Sequence, residues 1–252
     1  MPSNALPADA GPAPASMPTD HPKSPRAARA TPTARGPGRP RKAKARAVGR
    51  PAGDSQDLRE RLLDVAVECF AHHGIASATL REIAREAGVN PALVHYYFGD
   101  KAQLQQAVIN ERLLPAFNEV RSAMMLAGED IAGLIAGFVR GMSETVDRHP
   151  WLPPLWVREV LCEGGALREL LLTTVAPQMP QMLAARFAAA QQKGELNPDL
   201  DPRLLVASLV GLTLFPAAGA PIWRRMFNAD DIDSTAMRDH AIALLDRGIG
   251  AP

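Results

Sequence analysis

Residues 79–104 read TLREIAREAGVNPALVHYYFGDKAQL, and this stretch decides the fold. Thr79 and Glu82 have the spacing of a capping box, in which a hydroxyl and a carboxylate satisfy the free N–H groups at a helix start. Gly88 suits the turn that ends this short helix, and Asn90, followed by proline, suits the start of the next one. The pattern predicts two short helices joined by a tight glycine turn, which is a helix-turn-helix.

The helix that follows Asn90 has two chemically different faces. Val94 and Phe98 are four residues apart, so we expect them to pack on the preceding helices. The opposite, outward face carries Pro91, Ala92, His95 and Tyr96. Small residues, an imidazole and a phenol suit a nucleic-acid groove better than a protein core, which indicates a DNA-reading helix.

A longer helix is predicted before this motif. Apolar residues recur from residue 57 at helical spacing, at positions 58, 62, 65, 66, 69 and 70, and Gly74 supplies a stop. His72 and His73 fall in its last turn. We interpret them as surface residues and not as metal ligands, because no cluster of Cys, Asp or His accompanies them.

The segment as a whole resembles the DNA-binding domain of the TetR family of bacterial transcriptional regulators. The matching features are LLDVAVECFAHHG at residues 62–74 and then residues 79–104, with their glycine-valine turn, their aromatic cluster and Lys101. The resemblance implies a homodimer whose third helices enter adjacent major grooves. It also implies an all-helical C-terminal domain that binds a small-molecule effector and changes the spacing of the two DNA-reading helices.

The same resemblance implies which residues contact double-stranded DNA. Candidate contacts to base edges or sugars are Arg81, Asn90, Pro91, Ala92, Leu93, His95 and Tyr96. Candidate phosphate contacts are Thr79, Tyr97 and Lys101. His95 departs from the family pattern, in which many members have a tyrosine, although imidazole can still donate to a phosphate or to a base acceptor.

Composition divides the 252-residue chain into three parts. Residues 1–53 hold ten Lys and Arg against two Asp and Glu, with eleven prolines and no aromatic residue. Such a segment cannot bury enough apolar surface to offset the entropy of ordering, so we expect a disordered basic arm. Residues 54–103 are the predicted DNA-binding domain, and residues 104–252 the predicted helical domain for effector binding and dimerisation.

Two Gly-Arg-Pro sequences occur in the arm, within RGPGRPRKAKARAVGRPAG at residues 35–53. They resemble the AT-hook, whose Gly-Arg-Pro core lies in the narrow minor groove of A·T-rich DNA, where the negative potential attracts arginine. The candidate minor-groove residues are Arg39, Arg41, Lys42 and Arg50. The alternative, with equal weight, is a solvated basic tail that adds sequence-independent phosphate affinity.

The region after residue 104 shows helical periodicity without strand alternation, so the whole fold is predicted to be all-α. Aromatic and methionine side chains in it could line an apolar effector pocket with few polar groups. The candidates are Phe138, Met142, Trp151, Trp156, Arg158, Met179 and Met182. Core packing and a helix-surface ion pair explain the same residues and remain the alternative. Glu159 and Glu163 are interpreted as ordinary helix-surface carboxylates.

Two further patterns in this region indicate close helix contacts. Gly133, Gly137 and Gly141 recur every four residues, which predicts the close approach of a neighbouring helix or of a ligand. Residues 204–215 are apolar nearly all round, and residues 236–245 repeat apolar positions at helical spacing. Such helices need cover on all sides. The simplest cover is a second copy of the chain, which would form an intermolecular four-helix bundle.

The sequence also argues against other classes of protein. We find no export signal and no membrane span, and two isolated cysteines fit a reduced cytoplasm. No nucleophile elbow, phosphate loop or metal-ligand cluster occurs, so we expect no enzyme activity, no cofactor and no metal. The favoured function is a ligand-responsive regulator, more a repressor than an activator, on a near-palindromic operator. The alternative is a non-switching architectural protein that uses its arm on A·T-rich DNA.

Overall fold

The computed structural model describes residues 52–128, 130–175 and 179–249. These residues form helices and connecting turns without any strand, which confirms the all-α prediction. The four candidate minor-groove residues of the arm, Arg39, Arg41, Lys42 and Arg50, lie outside the described residues.

Eleven α-helices follow one another along the described ranges. The first four are α1 (Ala52–His73), α2 (Leu80–Glu86), α3 (Pro91–Phe98) and α4 (Lys101–Val108). The others are α5 (Leu114–Leu126), α6 (Ile131–Arg148), α7 (Leu152–Trp156), α8 (Arg168–Leu170), α9 (Met179–Gln192), α10 (Pro202–Phe227) and α11 (Ser234–Ile249). Single π-helical turns at Ile109–Leu113, Val157–Leu161 and Leu171–Val175 continue α4, α7 and α8.

Helices α1, α2 and α3 pack on one another through buried apolar side chains. Phe70 of α1, Ile83 of α2, and Val94 and Phe98 of α3 are among these buried residues. The first helix begins at Ala52, five residues before the start that the apolar pattern predicts, because apolar periodicity marks only the packed part of a helix. The helix-turn-helix geometry therefore rests on a packed support.

Helix α4 joins this three-helix unit to the rest of the molecule. It runs through the boundary expected at residues 103 and 104 and continues through the π-helical turn Ile109–Leu113 into α5. Two arginines clamp α1 to that turn. Arg59 donates to both carboxylate oxygens of Glu111 at 2.6 and 2.7 Å, and Arg112 pairs with Asp64 at 2.6 Å and with Glu60 at 2.9 Å.

The glycines of α6 make room for a neighbouring helix. A Cβ on Gly141 would lie 2.5 Å from the Cβ of Ala123 in α5, and one on Gly137 would collide with the Cβ of Ala127, just beyond the end of α5. The sequence left open whether a neighbouring helix or a ligand approaches the α6 glycines. The structure shows that a neighbouring helix approaches Gly137 and Gly141. The close approach brings two helix backbones together over several turns.

Helix α10 is the longest in the described residues and has two unlike faces. Leu205, Leu209 and Leu214 are buried against the other helices, whereas Phe215 and Ile222 are 72% and 68% exposed. By length and composition alone α10 could cross a membrane, a property that apolar helices of soluble proteins share. Its outward face is therefore apolar, and none of the residues that the structure describes covers it.

Candidate nucleic-acid interface and effector cavity

The start of α2 is fixed by the predicted capping box. The Thr79 hydroxyl accepts from the Glu82 backbone N–H at 3.2 Å, and the Glu82 carboxylate accepts from the Thr79 backbone N–H at 2.9 Å. The same hydroxyl donates to Glu82 at 2.9 Å. These hydrogen bonds from Thr79 hold the pKa of Glu82 below its ordinary value. A negative charge therefore stays beside the N-terminus of α2.

The turn between α2 and α3 aims the third helix. Gly88 has a φ of +66°, a left-handed conformation that glycine adopts without steric cost. The Val89 backbone N–H donates to the Ala84 carbonyl at 2.9 Å and closes the turn. Asn90 then caps α3, because its side-chain oxygen accepts from the Ala92 N–H at 2.9 Å. The caps and the turn together orient α3 before any DNA is present.

The outward face of α3 is the reading surface, which we define as Pro91, Ala92, His95 and Tyr96. All four are exposed, and the Tyr96 side chain is 79% exposed. Leu93 and Tyr97 are half-buried at its edges, and the Tyr96 and Tyr97 rings meet edge to face with centroids 5.2 Å apart. The structure thus brings most of the predicted base-contacting residues onto one convex helix face.

The His95 ring has one nitrogen committed and one available. Its Nδ1 lies 2.7 Å from the Gly99 carbonyl oxygen, which can only accept, so Nδ1 carries the proton. In the neutral ring Nε2 is then an acceptor that points away from this contact. An acceptor at the reading surface can meet the amino group of cytosine or adenine in the major groove.

Arg81, a predicted base or sugar contact, and the predicted phosphate contacts Lys101 and Thr79 differ in how many hydrogen-bonding groups they have free. Arg81 is exposed, and its guanidinium makes no contact with the described residues that would hold it in place. Lys101 donates to the Ala76 carbonyl at 2.7 Å and has two further N–H groups. The Thr79 hydroxyl already donates to Glu82, so any phosphate there would meet backbone N–H groups of α2 and not this hydroxyl.

The seven candidate pocket residues do not line one cavity. Phe138 and Met142 are buried in the helical core, and Trp151 packs against His149 with ring centroids 5.3 Å apart. Arg158 is exposed and lies against Gly74 at the end of α1. Met179 and Met182 border a cavity of about 310 Å³ beside α5, whereas Trp156 borders a different cavity. Helical periodicity identifies apolar faces, but it does not say which faces enclose space.

The larger cavity measures about 950 Å³ and lies between α7, α9 and α10. Its lining is mostly aliphatic and aromatic and includes Trp156, Leu161, Val206, Val210 and Phe215. Its one cationic lining residue, Arg203, forms an ion pair with Asp201 at 2.6 Å. The hydrogen bonds that Arg203 donates to Asp201 hold the pKa of this carboxylate well below its usual range. The volume is in the range of small-molecule sites.

An aromatic pair stands where the two cavities approach each other. Phe117 lines the smaller cavity and Trp156 the larger one, and their rings meet edge to face with centroids 6.3 Å apart. Of the predicted pocket residues, Trp156 therefore belongs to this pair, and Met179 and Met182 line the same cavity as its partner Phe117. Within the described ranges, no group of three or more His, Cys, Asp or Glu is placed to hold a metal ion.

Glu159 is not a surface carboxylate, and that interpretation of the sequence is wrong. Its side chain is only 4% exposed, and each carboxylate oxygen accepts a backbone N–H. The sequence did contain a signal, since helical spacing places residue 159 on the same face as Leu152 and Leu155, which are both buried. Glu163 is exposed, as expected.

Comparison with known sequences finds one family in the region that carries the reading surface. Residues 62–108 match the sequence model described as "Bacterial regulatory proteins, tetR family". The HTH-type transcriptional regulator UidR of Escherichia coli strain K12 is 28% identical over 168 residues, which span 64% of this chain and 80% of UidR. The similarity to UidR therefore extends beyond the matched domain into the C-terminal helices.

Solved structures share the fold over most of the chain. The ketosteroid transcriptional regulator KstR2 of Mycobacterium tuberculosis has a TM-score of 0.63 at 18% identity, covering 77% of this chain and 95% of KstR2. A putative transcriptional regulator from Saccharomonospora viridis, solved in complex with choline, has a TM-score of 0.55 at 19% identity, covering 78% and 100% of the two chains. Both have an arrangement of helices similar to that described above.

Proposed function

Because this chain belongs to the TetR family of transcriptional regulators, we propose that it is a ligand-responsive repressor that binds a near-palindromic operator as a homodimer. Like its relatives, it is a DNA-binding regulator and not an enzyme. We place it in the cytoplasm, where the operator is. The observation that carries the proposal is the exposed reading surface on α3, whose opposite face is buried.

We propose that α3 enters the major groove with the reading surface against base edges. Tyr96 and His95 are the long side chains of this surface, and Ala92 and Pro91 let the helix come close to the bases. Arg81 and Lys101 flank it and would hold phosphates on either side.

A second copy of the chain would cover the outward face of α10. Phe215 and Ile222 are exposed there, and Leu244 of α11, the helix that follows α10, is also exposed. Burying these side chains against the same face of a second copy removes apolar surface from water, which is the usual source of stability for such interfaces. The two-fold axis would then set the distance between the two reading surfaces, and hence between the operator half-sites.

The effector would bind in the cavity between α7, α9 and α10. Because the lining is apolar and the Arg203 charge is neutralised by Asp201, the favoured effector is a bulky apolar molecule without a net charge. An effector that prefers a conformation with wrongly spaced reading surfaces lowers operator affinity by its difference in affinity between the two states.

The experiment that tests the DNA-binding proposal is a footprint on the DNA that flanks the protein's own coding region. It uses the full chain, near-physiological salt and competitor DNA. We expect a short, roughly palindromic protected site, and Tyr96→Ala should abolish the protection. Leu126→Ala is the matched control, because Leu126 is also an exposed apolar residue, 87% exposed, but lies at the end of α5.

Diffuse protection that follows A·T content would contradict the operator proposal and favour the architectural alternative. Protection that survives Tyr96→Ala unchanged would mean that α3 does not read the operator.

For the effector, a panel of neutral, anionic and cationic apolar compounds is titrated against operator-bound protein. Release by the neutral compounds supports the proposed class of effector, and operator affinity that no compound changes would argue against ligand control.

A further inference from the structure

A single buried carboxylate connects the end of α1 to the wall of the larger cavity. Glu159 is the one charged residue that is buried within the described residues. Its Oε1 accepts from the Ile75 backbone N–H at 2.8 Å, and its Oε2 accepts from the Ala166 backbone N–H at 2.9 Å. Ile75 is the second residue after the end of α1, so the carboxylate reaches across 84 positions of sequence into the DNA-binding unit.

The π-helical turn that carries Glu159 is also part of the cavity. Val157 and Leu161, its first and last residues, line the cavity together with Trp156. Glu159 lies between them in sequence and faces α1. A displacement of this turn by a molecule in the cavity must therefore move the Glu159 carboxylate or break its hydrogen bonds.

The Glu159 side chain is closely packed against the end of α1. A Cβ on Gly74 would lie 3.2 Å from Glu159 Oε1 and 3.2 Å from Arg158 Cδ, so the turn packs directly on the end of α1. A buried carboxylate is stable only while its hydrogen bonds are made, because an unpaired buried charge is costly. The two hydrogen bonds therefore fix the position of the Glu159 carboxylate relative to both N–H groups. A movement of the turn is passed on to these groups, whereas apolar side chains in contact could shift past each other.

We infer that Glu159 is a positioning residue, which holds the DNA-binding unit in its operator-competent orientation and transmits occupancy of the cavity to it. This inference rests on the proposed function, since the response it explains is a change in operator affinity. The arginine clamp between α1 and Ile109–Leu113 has no residue in the cavity lining. Glu159, by contrast, provides a hydrogen-bonded link from the cavity wall to the end of α1.

The test uses a side chain in place of the unidentified effector. Ala184 of α9 lines the cavity, and Ala184→Trp fills part of it. Ala185→Trp is the matched control, because Ala185 is the exposed next residue and does not line the cavity.

Each change is made in the full chain, alone and together with Glu159→Gln. The carboxamide keeps the shape but brings an N–H donor against a backbone N–H. Glu163→Gln controls for the loss of an exposed carboxylate.

Two readouts are compared. The first is affinity for the footprinted operator. We expect Ala184→Trp to weaken it about tenfold or more when Glu159 is present, and by less than about twofold in the Glu159→Gln background. The second is hydrogen exchange at the Ile75 amide. We expect Ala184→Trp and Glu159→Gln each to speed it about tenfold, and Ala185→Trp and Glu163→Gln to leave it unchanged.

A purely structural Glu159 would give the same loss of operator affinity from Ala184→Trp in both backgrounds, and that result overturns the inference. So does unchanged Ile75 exchange in Ala184→Trp, a measurement that needs no Glu159 variant and so does not depend on Glu159→Gln folding. Should the footprint find no operator, the proposed function fails. The exchange at Ile75 still reports whether the cavity and the end of α1 are linked.

Discussion

At the residue scale, the glycines of α6 decide how closely α5 can pack. The structure leaves no volume for a side chain at Gly137 or Gly141, because alanines of the α5 side already occupy it. Alanine is ordinarily the better helix former by about 1 kcal/mol, so these positions give up helix propensity in exchange for packing.

We expect Gly137→Ala to destabilise the protein by about 1–3 kcal/mol, as overpacking of a dense core does. Urea unfolding followed by circular dichroism measures the change. Gly248→Ala in α11 is the control, because a Cβ there meets nothing within 4 Å and should leave stability equal or slightly higher. Equal stability of Gly137→Ala and the wild type would mean that α5 and α6 are not packed as described.

At the scale of elements, the clamp between α1 and Ile109–Leu113 makes the attachment of the DNA-binding unit sensitive to acid. The hydrogen bonds from Arg59 hold the pKa of Glu111 below its ordinary value. A carboxylate with a lowered folded-state pKa adds stability at a pH above its unfolded pKa, about 4.3 for glutamate, and that stability is lost as the pH falls through the folded value.

We therefore expect Glu111→Gln to be less stable than the wild type at pH 7, with the difference shrinking as the pH falls below about 4. Urea midpoints at several pH values between 7 and about 3 give the comparison. Glu144→Gln, at an exposed position of α6, should show no such convergence. A difference that stays constant with pH would mean that the Arg59 to Glu111 pair does not contribute through its charge.

Helices α2 and α3 could be predicted from sequence because their signals are local. The capping box at Thr79, the glycine turn at Gly88 and the cap at Asn90 each act within four residues, and the structure has all three. The orientation of α3 follows from the same local pattern, since Val94 and Phe98 allow only one face to be buried.

The cavity and the Glu159 link could not be predicted in this way, because they depend on which distant faces meet. Trp156 and Met179 have similar apolar surroundings in the sequence, yet they border different cavities. One of the two partners of Glu159 is a backbone N–H 84 positions away, and a backbone group has no signature in the sequence. Long-range contacts to the main chain therefore remain invisible until the fold is known.

At the scale of the whole molecule, the proposed function makes oligomeric state part of DNA binding through the exposed apolar face of α10. A monomer would leave Phe215 and Ile222 in water and would read only one half-site of the proposed operator. Both costs disappear when two copies associate through this face.

We expect Ile222→Arg to raise the dimer dissociation constant by about two orders of magnitude or more, because a charge would be buried without a partner. Sedimentation velocity at micromolar concentration follows the change, and operator affinity should fall with it. Leu126→Arg adds the same charge at an exposed apolar position on α5 and should leave both unchanged. A wild-type chain that sediments as a monomer would contradict the proposed interface.

The basic arm adds a second prediction at this scale. Deleting residues 1–53 should weaken operator binding and reduce the slope of log K against log salt, because each phosphate contact contributes about 0.9 to that slope. An unchanged slope would contradict both interpretations of the arm. Two variants of equal charge then separate these interpretations: Arg39→Ala with Arg50→Ala removes the Gly-Arg-Pro arginines, and Lys44→Ala with Arg46→Ala does not. Loss of A·T preference in the first pair alone identifies an AT-hook.

The main-chain partners of Glu159 also bear on how such a regulator can diversify. Ile75 and Ala166 contribute amide groups that every residue except proline possesses, so mutation of their side chains leaves the link in place. The reading surface and the cavity lining have no residue in common. On the proposed function, descendants of this gene could therefore acquire new target sequences and new inducers independently of each other, while inheriting the proposed connection between them.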